Sequence, residues 1–138
     1  MDNFKNKEFL ISLEDDLKKF AYDFAKVLKP SKIVSLVGEL GAGKTTFVKY
    51  LVKALNIDAS VSSPSYVLEN IYEGRDFFVS HWDLYRLSDC PMELLNEDFK
   101  NAIVLIEWGD KFNEIESIVD ITISFEILEN EKRRLRVF

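Results

Sequence analysis

Cysteine and histidine occur once each, as Cys90 and His81. A lone thiol closes no internal disulfide and has no second thiol with which to share a metal, so neither a disulfide framework nor a zinc site is expected. Prolines number three and glycines five, and nowhere do they gather with serine into a linker. With no internal repeat and no low-complexity segment, nothing divides the chain, and one domain over residues 1–138 is expected. Long apolar runs are missing as well. No stretch nears the roughly 18 residues of a membrane span, and the opening MDNFKNKEFLISLEDD has neither the basic start nor the apolar block of a signal peptide. These absences lead us to expect a cytoplasmic protein with no membrane attachment. Positive charge is scarce too: 18 Lys and Arg stand against 24 Asp and Glu, a net charge of −6. Acids crowd residues 89–116, where only Lys100 and Lys111 oppose them, and such a surface repels nucleic acid. KRRLR at 132–136 is the exception, read here as the solvated end of a strand.

What the chain does have is apolar residues, 47% of the total, in periodic patterns. Leu13, Leu17, Phe20, Ala21, Phe24, Ala25 and Leu28 form one helical face, with Ser12 placed to cap it, Glu14, Asp15 and Asp16 at its positive end, and Pro30 to stop it. Ile33 to Val37 is a short continuous apolar run of the kind found in buried parallel strands. A second helix runs over 44–55 with Phe47, Val48, Leu51, Val52 and Leu55 on one side. Residues 66–72 and 77–82 are expected as a hairpin turned at 73–76. A short helix over 91–99, a buried strand over 103–107, and two strands over 118–128 and 133–138 joined by a polar turn complete the reading. The expected class is α/β, a central sheet of mixed parallel and antiparallel strands flanked by helices.

The chemistry-bearing stretch is GELGAGKTT, where Gly38, Gly43, Lys44 and Thr45 match G-x-x-x-x-G-K-[ST] between a strand and a helix. Glycines at 38, 41 and 43 let the backbone take turns that a side chain would block, so that N–H groups point at phosphate oxygens. The expected cradle is Gly38, Glu39, Leu40, Gly41, Ala42, Gly43, Lys44, Thr45 and Thr46, with Lys44 neutralising the β and γ phosphates and the Thr45 hydroxyl available to magnesium. Hydrolysis needs more than a cradle: a further magnesium ligand, an oriented water, and stabilisation of charge on the γ phosphate. Two acids end apolar strands, Glu107 after IVLI and Asp83 after FFVSHW. A strand-end acid by itself is usually only solvated, but two in one such chain make a site.

GELGAGKTTF at 38–47, SPSY at 63–66, HWDLYRL at 81–87 and LIEW at 105–108 together resemble the TsaE (YjeE) family, small P-loop ATPases of tRNA threonylcarbamoyladenosine biosynthesis. The order and spacing agree over essentially the whole chain. The resemblance implies bound ATP and Mg2+, hydrolysis in a complex with TsaB and TsaD, and little direct contact with tRNA. It implies that Asp83 and Glu107 are the two essential acids at the metal site, one helping to hold magnesium and the other positioning or deprotonating water. Glu107 is assigned here to magnesium and Asp83 to the attacking water. It further implies that Ser65, where the family usually has threonine, senses the γ phosphate or its magnesium, and that Trp108 lies near the nucleotide. His81 is read as orienting the Asp83 loop, since no acid is spaced to tune it. Tyr85 and Arg86 face either the phosphates or a partner.

Two other readings compete. DLYR loosely matches the segment with which small nucleotide kinases grip an acceptor, but such kinases clamp the transferred group with a lid of arginines. Here the arginines are only Arg75, Arg86, Arg133, Arg134 and Arg136. No insert is long enough for a lid, and no arginine is obviously placed to act in cis. The other is a nucleotide-dependent switch with negligible turnover.

Overall fold

Alternating apolar and polar residues at both ends of the chain, and continuous apolar runs in its middle, build one sheet with antiparallel flanks and a parallel centre. The computed structural model describes residues 1–64 and 68–138. The elements are β1 (Lys7–Ile11), α1 (Glu14–Val27), β2 (Ile33–Val37), α2 (Lys44–Ala54), β3 (Glu69–Glu73), β4 (Phe78–Asp83), α3 (Met92–Asn96), β5 (Ala102–Glu107), α4 (Asn113–Glu116), β6 (Ile121–Ile127) and β7 (Arg133–Val137). They form a seven-stranded sheet in the order β1-β7-β6-β2-β5-β4-β3. β6, β2, β5 and β4 are mutually parallel, and β1, β7 and β3 pair antiparallel. This is the mixed α/β sheet expected from the sequence.

Strand alternation sorts the core into two layers. Val79, Ile103 and Leu105 face α1 and α2 with a group of aromatic rings, Phe4, Phe20, Phe24, Phe47 and Phe125. Trp82, Ala102, Val104 and Ile106 face the other way, under α3 and α4. Because every residue of β5 is buried, the strand reads as a continuous apolar run that ends in a charge. Glu107 shares the parity of Ile103 and Leu105, so it comes out on the α2 side of the sheet, as does His81, two residues beyond Val79.

Several boundaries differ from the reading of the sequence. β1 was not anticipated: an edge strand of five residues shows too few alternations to register. Ser12 does not cap α1. Leu13 takes the extended cap position, and the Asp16 carboxylate reaches back to accept the N–H groups of Ser12 at 3.0 Å and Leu13 at 2.9 Å. α3 is confined to five residues of the 91–99 stretch, and four residues ahead of β6 wind into α4, so that β6 begins at Ile121 rather than at 118. The first hairpin strand, expected from 66, is seen from Glu69; residues 66 and 67 lie outside the described residues.

Candidate active site

The C-terminal ends of β2, β4 and β5 and the N-terminus of α2 meet at one edge of the sheet, the usual place for a ligand in a parallel sheet. Gly38 leaves β2 at φ +149°, and a Cβ there would stand 2.5 Å from the Phe125 carbonyl oxygen. Gly43 caps α2 at φ +106°. Both positions are therefore closed to other residues, one by space and both by conformation.

Lys44 is only 5% exposed. Its ammonium donates to the carbonyls of Gly38 and, at 3.2 Å, Glu39, and lies 4.2 Å from the centre of the Trp108 ring. Burial lowers its pKa, against the opposing pull of Glu107, Asp83, Asp110 and Glu39. Next in the helix, the Thr45 hydroxyl lies 2.9 Å from Oε1 and 3.0 Å from Oε2 of Glu107. Glu107 is 3% exposed and sits opposite Asp83 in the β4–β5 register. Asp83 accepts from the Ser63 hydroxyl through Oδ2 at 2.8 Å and from the Tyr85 N–H through Oδ1 at 3.0 Å. Residues 40–46, Ser63, Asp83, Glu107 and Trp108 line a cleft of about 320 Å³. A larger hollow of about 670 Å³ between β1 and α1 has no such loop of backbone donors, so size does not select the site.

Among the described residues there is no group of three or more His, Cys, Asp or Glu that could hold a metal ion by itself. Magnesium does not ask for one. It is bound by one or two carboxylates completed by phosphate oxygens and water. Thr45, Glu107 and Asp83 supply hard oxygen donors on one side of the loop, which fits that ion.

The structure thus gathers Lys44, Thr45, Asp83, Glu107 and Trp108 around the glycine loop, whose Glu39 and Leu40 are exposed and whose Ala42 is buried. Thr46 lines the cleft that these residues share and also a second one of about 220 Å³ on the other flank, together with Ser12, Leu13, Glu14, Glu131 and Arg133. Ser65 lies outside the described residues. Tyr85 packs on Trp108, ring centres 4.9 Å apart, and Arg86 is exposed. His81 departs from expectation: it is buried, and its Nε2 lies 2.6 Å from Glu107 Oε2, so it holds Glu107 rather than the Asp83 loop. An acid 26 residues away carries no spacing signal, but strand parity puts His81 and Glu107 on one face. Arg133 was also missed. It donates to the Gly41 carbonyl at 3.2 Å across 92 residues of sequence, and no local pattern announces that.

The family model for the threonylcarbamoyl adenosine biosynthesis protein TsaE matches residues 11–135. A relative of that name from Aquifex aeolicus is 38% identical over 134 residues, covering 96% of each chain. One from Rickettsia conorii is 36% identical over 128 residues, covering 89% of this chain and 73% of the relative. A crystal structure of YdiB from Bacillus subtilis superposes with a TM-score of 0.73 at 24% identity, over 94% of this chain and 82% of that one, which shows a shared fold.

Proposed function

The chain belongs to the TsaE family of threonylcarbamoyl adenosine biosynthesis proteins, and on that premise we propose that it is a magnesium-dependent ATPase of tRNA modification. It works in the cytoplasm as one domain, turns over slowly by itself, and acts in complex with TsaB and TsaD. The observation that carries this reading is the Thr45 hydroxyl on the Glu107 carboxylate, with Asp83 alongside in register and Lys44 one residue before Thr45.

Each residue has a task in this reading. The N–H groups of residues 41–46 and the start of α2 face the phosphates, and Lys44 exchanges the Gly38 and Glu39 carbonyls for phosphate oxygens. Thr45 and Glu107 would hold a magnesium ion, which would offset the charge of the phosphate oxygens. Asp83, fixed at both oxygens by Ser63 and Tyr85, orients the water that attacks the γ phosphate. The cleft past Thr46, beside Arg133, would take the nucleoside.

Slow turnover in isolation follows from where the arginines lie. Arg133 lines the Thr46 flank, whereas the lining of the Asp83 and Glu107 flank includes no arginine among the described residues. A γ phosphate there lacks the guanidinium that speeds related hydrolases by about 10³-fold or more, and a partner has to supply the missing stabilisation. Phosphate release from ATP by the parent chain tests the reading, measured with Mg2+, with chelator, and with TsaB and TsaD added. We expect slow release that chelator abolishes and the partners raise. Transfer to an added nucleoside monophosphate would identify a kinase instead.

A further inference from the structure

Tyr72 and His81 are buried polar groups that the reaction described above does not use. A line of hydrogen bonds crosses three adjacent strands at this point. The Tyr72 hydroxyl on β3 lies 3.0 Å from Nδ1 of His81 on β4, whose Nε2 lies 2.6 Å from Oε2 of Glu107 on β5, whose carboxylate takes the Thr45 hydroxyl. The register explains the line. His81 faces Asn70 on one side and Leu105 on the other, and Tyr72 and Glu107 are each two residues further along, on the same face. An ionised carboxylate only accepts, so Nε2 carries the proton of the His81–Glu107 contact. In the neutral ring Nδ1 then accepts from Tyr72, which fixes both tautomer and ring angle. His81 is fully buried and Tyr72 is 5% exposed, so no solvent rearrangement competes with these contacts. The Ser62 carbonyl, 3.3 Å from the Tyr72 hydroxyl, is a second and more distant acceptor for the same proton, and the next residue, Ser63, holds Asp83.

We propose that Tyr72 and His81 are positioning residues that aim the Glu107 carboxylate at the cation it shares with Thr45. This rests on the magnesium-dependent reading given above. A carboxylate held by two donors, the His81 ring N–H and the Thr45 hydroxyl, presents a fixed oxygen to an ion that demands near-ideal octahedral geometry. Loss of such a supporting contact usually lowers metal affinity or activity by about 10- to 100-fold.

The test uses the full chain and ADP, so it does not depend on turnover. ADP affinity is measured by calorimetry without Mg2+, and the Mg2+ concentration that half-maximally strengthens ADP binding is then determined. Tyr72→Phe and His81→Leu are expected to keep the parent's magnesium-free affinity and to need about tenfold more Mg2+. His81→Gln, which restores an N–H near the lost Nε2, is expected to recover part of the difference. Parental Mg2+ midpoints in both Tyr72→Phe and His81→Leu would overturn the proposal. If His81→Leu does not fold, Tyr72→Phe, which keeps the ring and its packing, decides alone. A parent chain that binds no ADP would overturn the magnesium-dependent reading instead. In that case the downfield proton resonance of the His81 ring N–H decides. Its loss in Glu107→Gln and its shift in Tyr72→Phe would support the positioning, and an unchanged resonance in both would overturn it.

Discussion

In the proposed reading, Lys44 is the residue on which nucleotide binding turns. Its ammonium is buried, and burial alone disfavours the charge, but two loop carbonyls, the Trp108 ring and nearby carboxylates hold it in place. A phosphate offers that ammonium a better partner than a carbonyl does, because it sets a full negative charge, in place of a dipole, against the buried positive one. Lys44→Ala is therefore expected to weaken ATP binding by about 100-fold or more, read by equilibrium titration. Arg133 lies on the other flank with its guanidinium tied to the Gly41 carbonyl. Arg133→Ala should raise the KM for ATP about tenfold with a smaller change in kcat, since in the proposed reading this flank would take the nucleoside and not the reacting phosphate. Equal losses in kcat and kcat/KM would place Arg133 at the reaction itself.

At the scale of elements, α1 shows how a small misreading arises. Serine is a good cap by type, but an acid at the third helical residue reaches back to the N–H groups of Ser12 and Leu13 ahead of the helix, and Leu13 becomes the cap residue. The N–H groups of Leu13 and then Ser12 hold the Asp16 carboxyl below its ordinary value of 3.8. A depressed native pKa gives stability that is complete above the unfolded value and disappears as pH falls through the native one. Asp16→Ala should therefore lower the thermal midpoint at pH 7, and parent and variant should converge as the pH falls below 3.8 and through the depressed native value. A constant gap across that range would mean that the carboxylate's charge plays no part.

α2, β2 and β5 were legible because each is long or apolar enough for its period to dominate. α4 and β1, with four and five residues, were not. The glycine loop was legible residue by residue, since its glycines are dictated by backbone geometry. Glu107 and Asp83 were found because a charge ending an apolar strand stands out. Their partners were not, because His81 reaches Glu107, and Arg133 reaches Gly41, through strand order, which spacing along the chain does not encode.

For the molecule as a whole, charge decides what it binds. The net charge is −6, and the basic stretch near the C-terminus is largely engaged: Arg134 pairs with Glu8 and Glu126, Arg136 with Glu8, and Arg133 with backbone carbonyls. Free phosphate-binding charge is thus scarcer than the sequence suggests, and tRNA binding by the chain alone should be feeble at physiological salt. Docking on TsaB and TsaD should instead depend on the nucleotide, because Ser63 and the 81–87 stretch touch the cleft and also reach the surface, where Tyr85 is 40% exposed. Titration against those subunits with ADP and with an ATP analogue would show this as unequal affinities. Tight tRNA binding and equal affinities would contradict it.

Whether Asp83 and Glu107 act on hydrolysis rather than on binding is read most directly from a single turnover of bound ATP in the parent, Asp83→Asn and Glu107→Gln, with Mg2+ present. Amides are the right replacements, because truncating Glu107 would leave the buried His81 N–H without its acceptor, at a cost of about 1–3 kcal/mol of stability that would confound the result. Both variants are expected to hold ATP nearly as well as the parent while conversion to ADP slows by about 100-fold or more. Conversion at the parent rate in both would show that neither acid takes part.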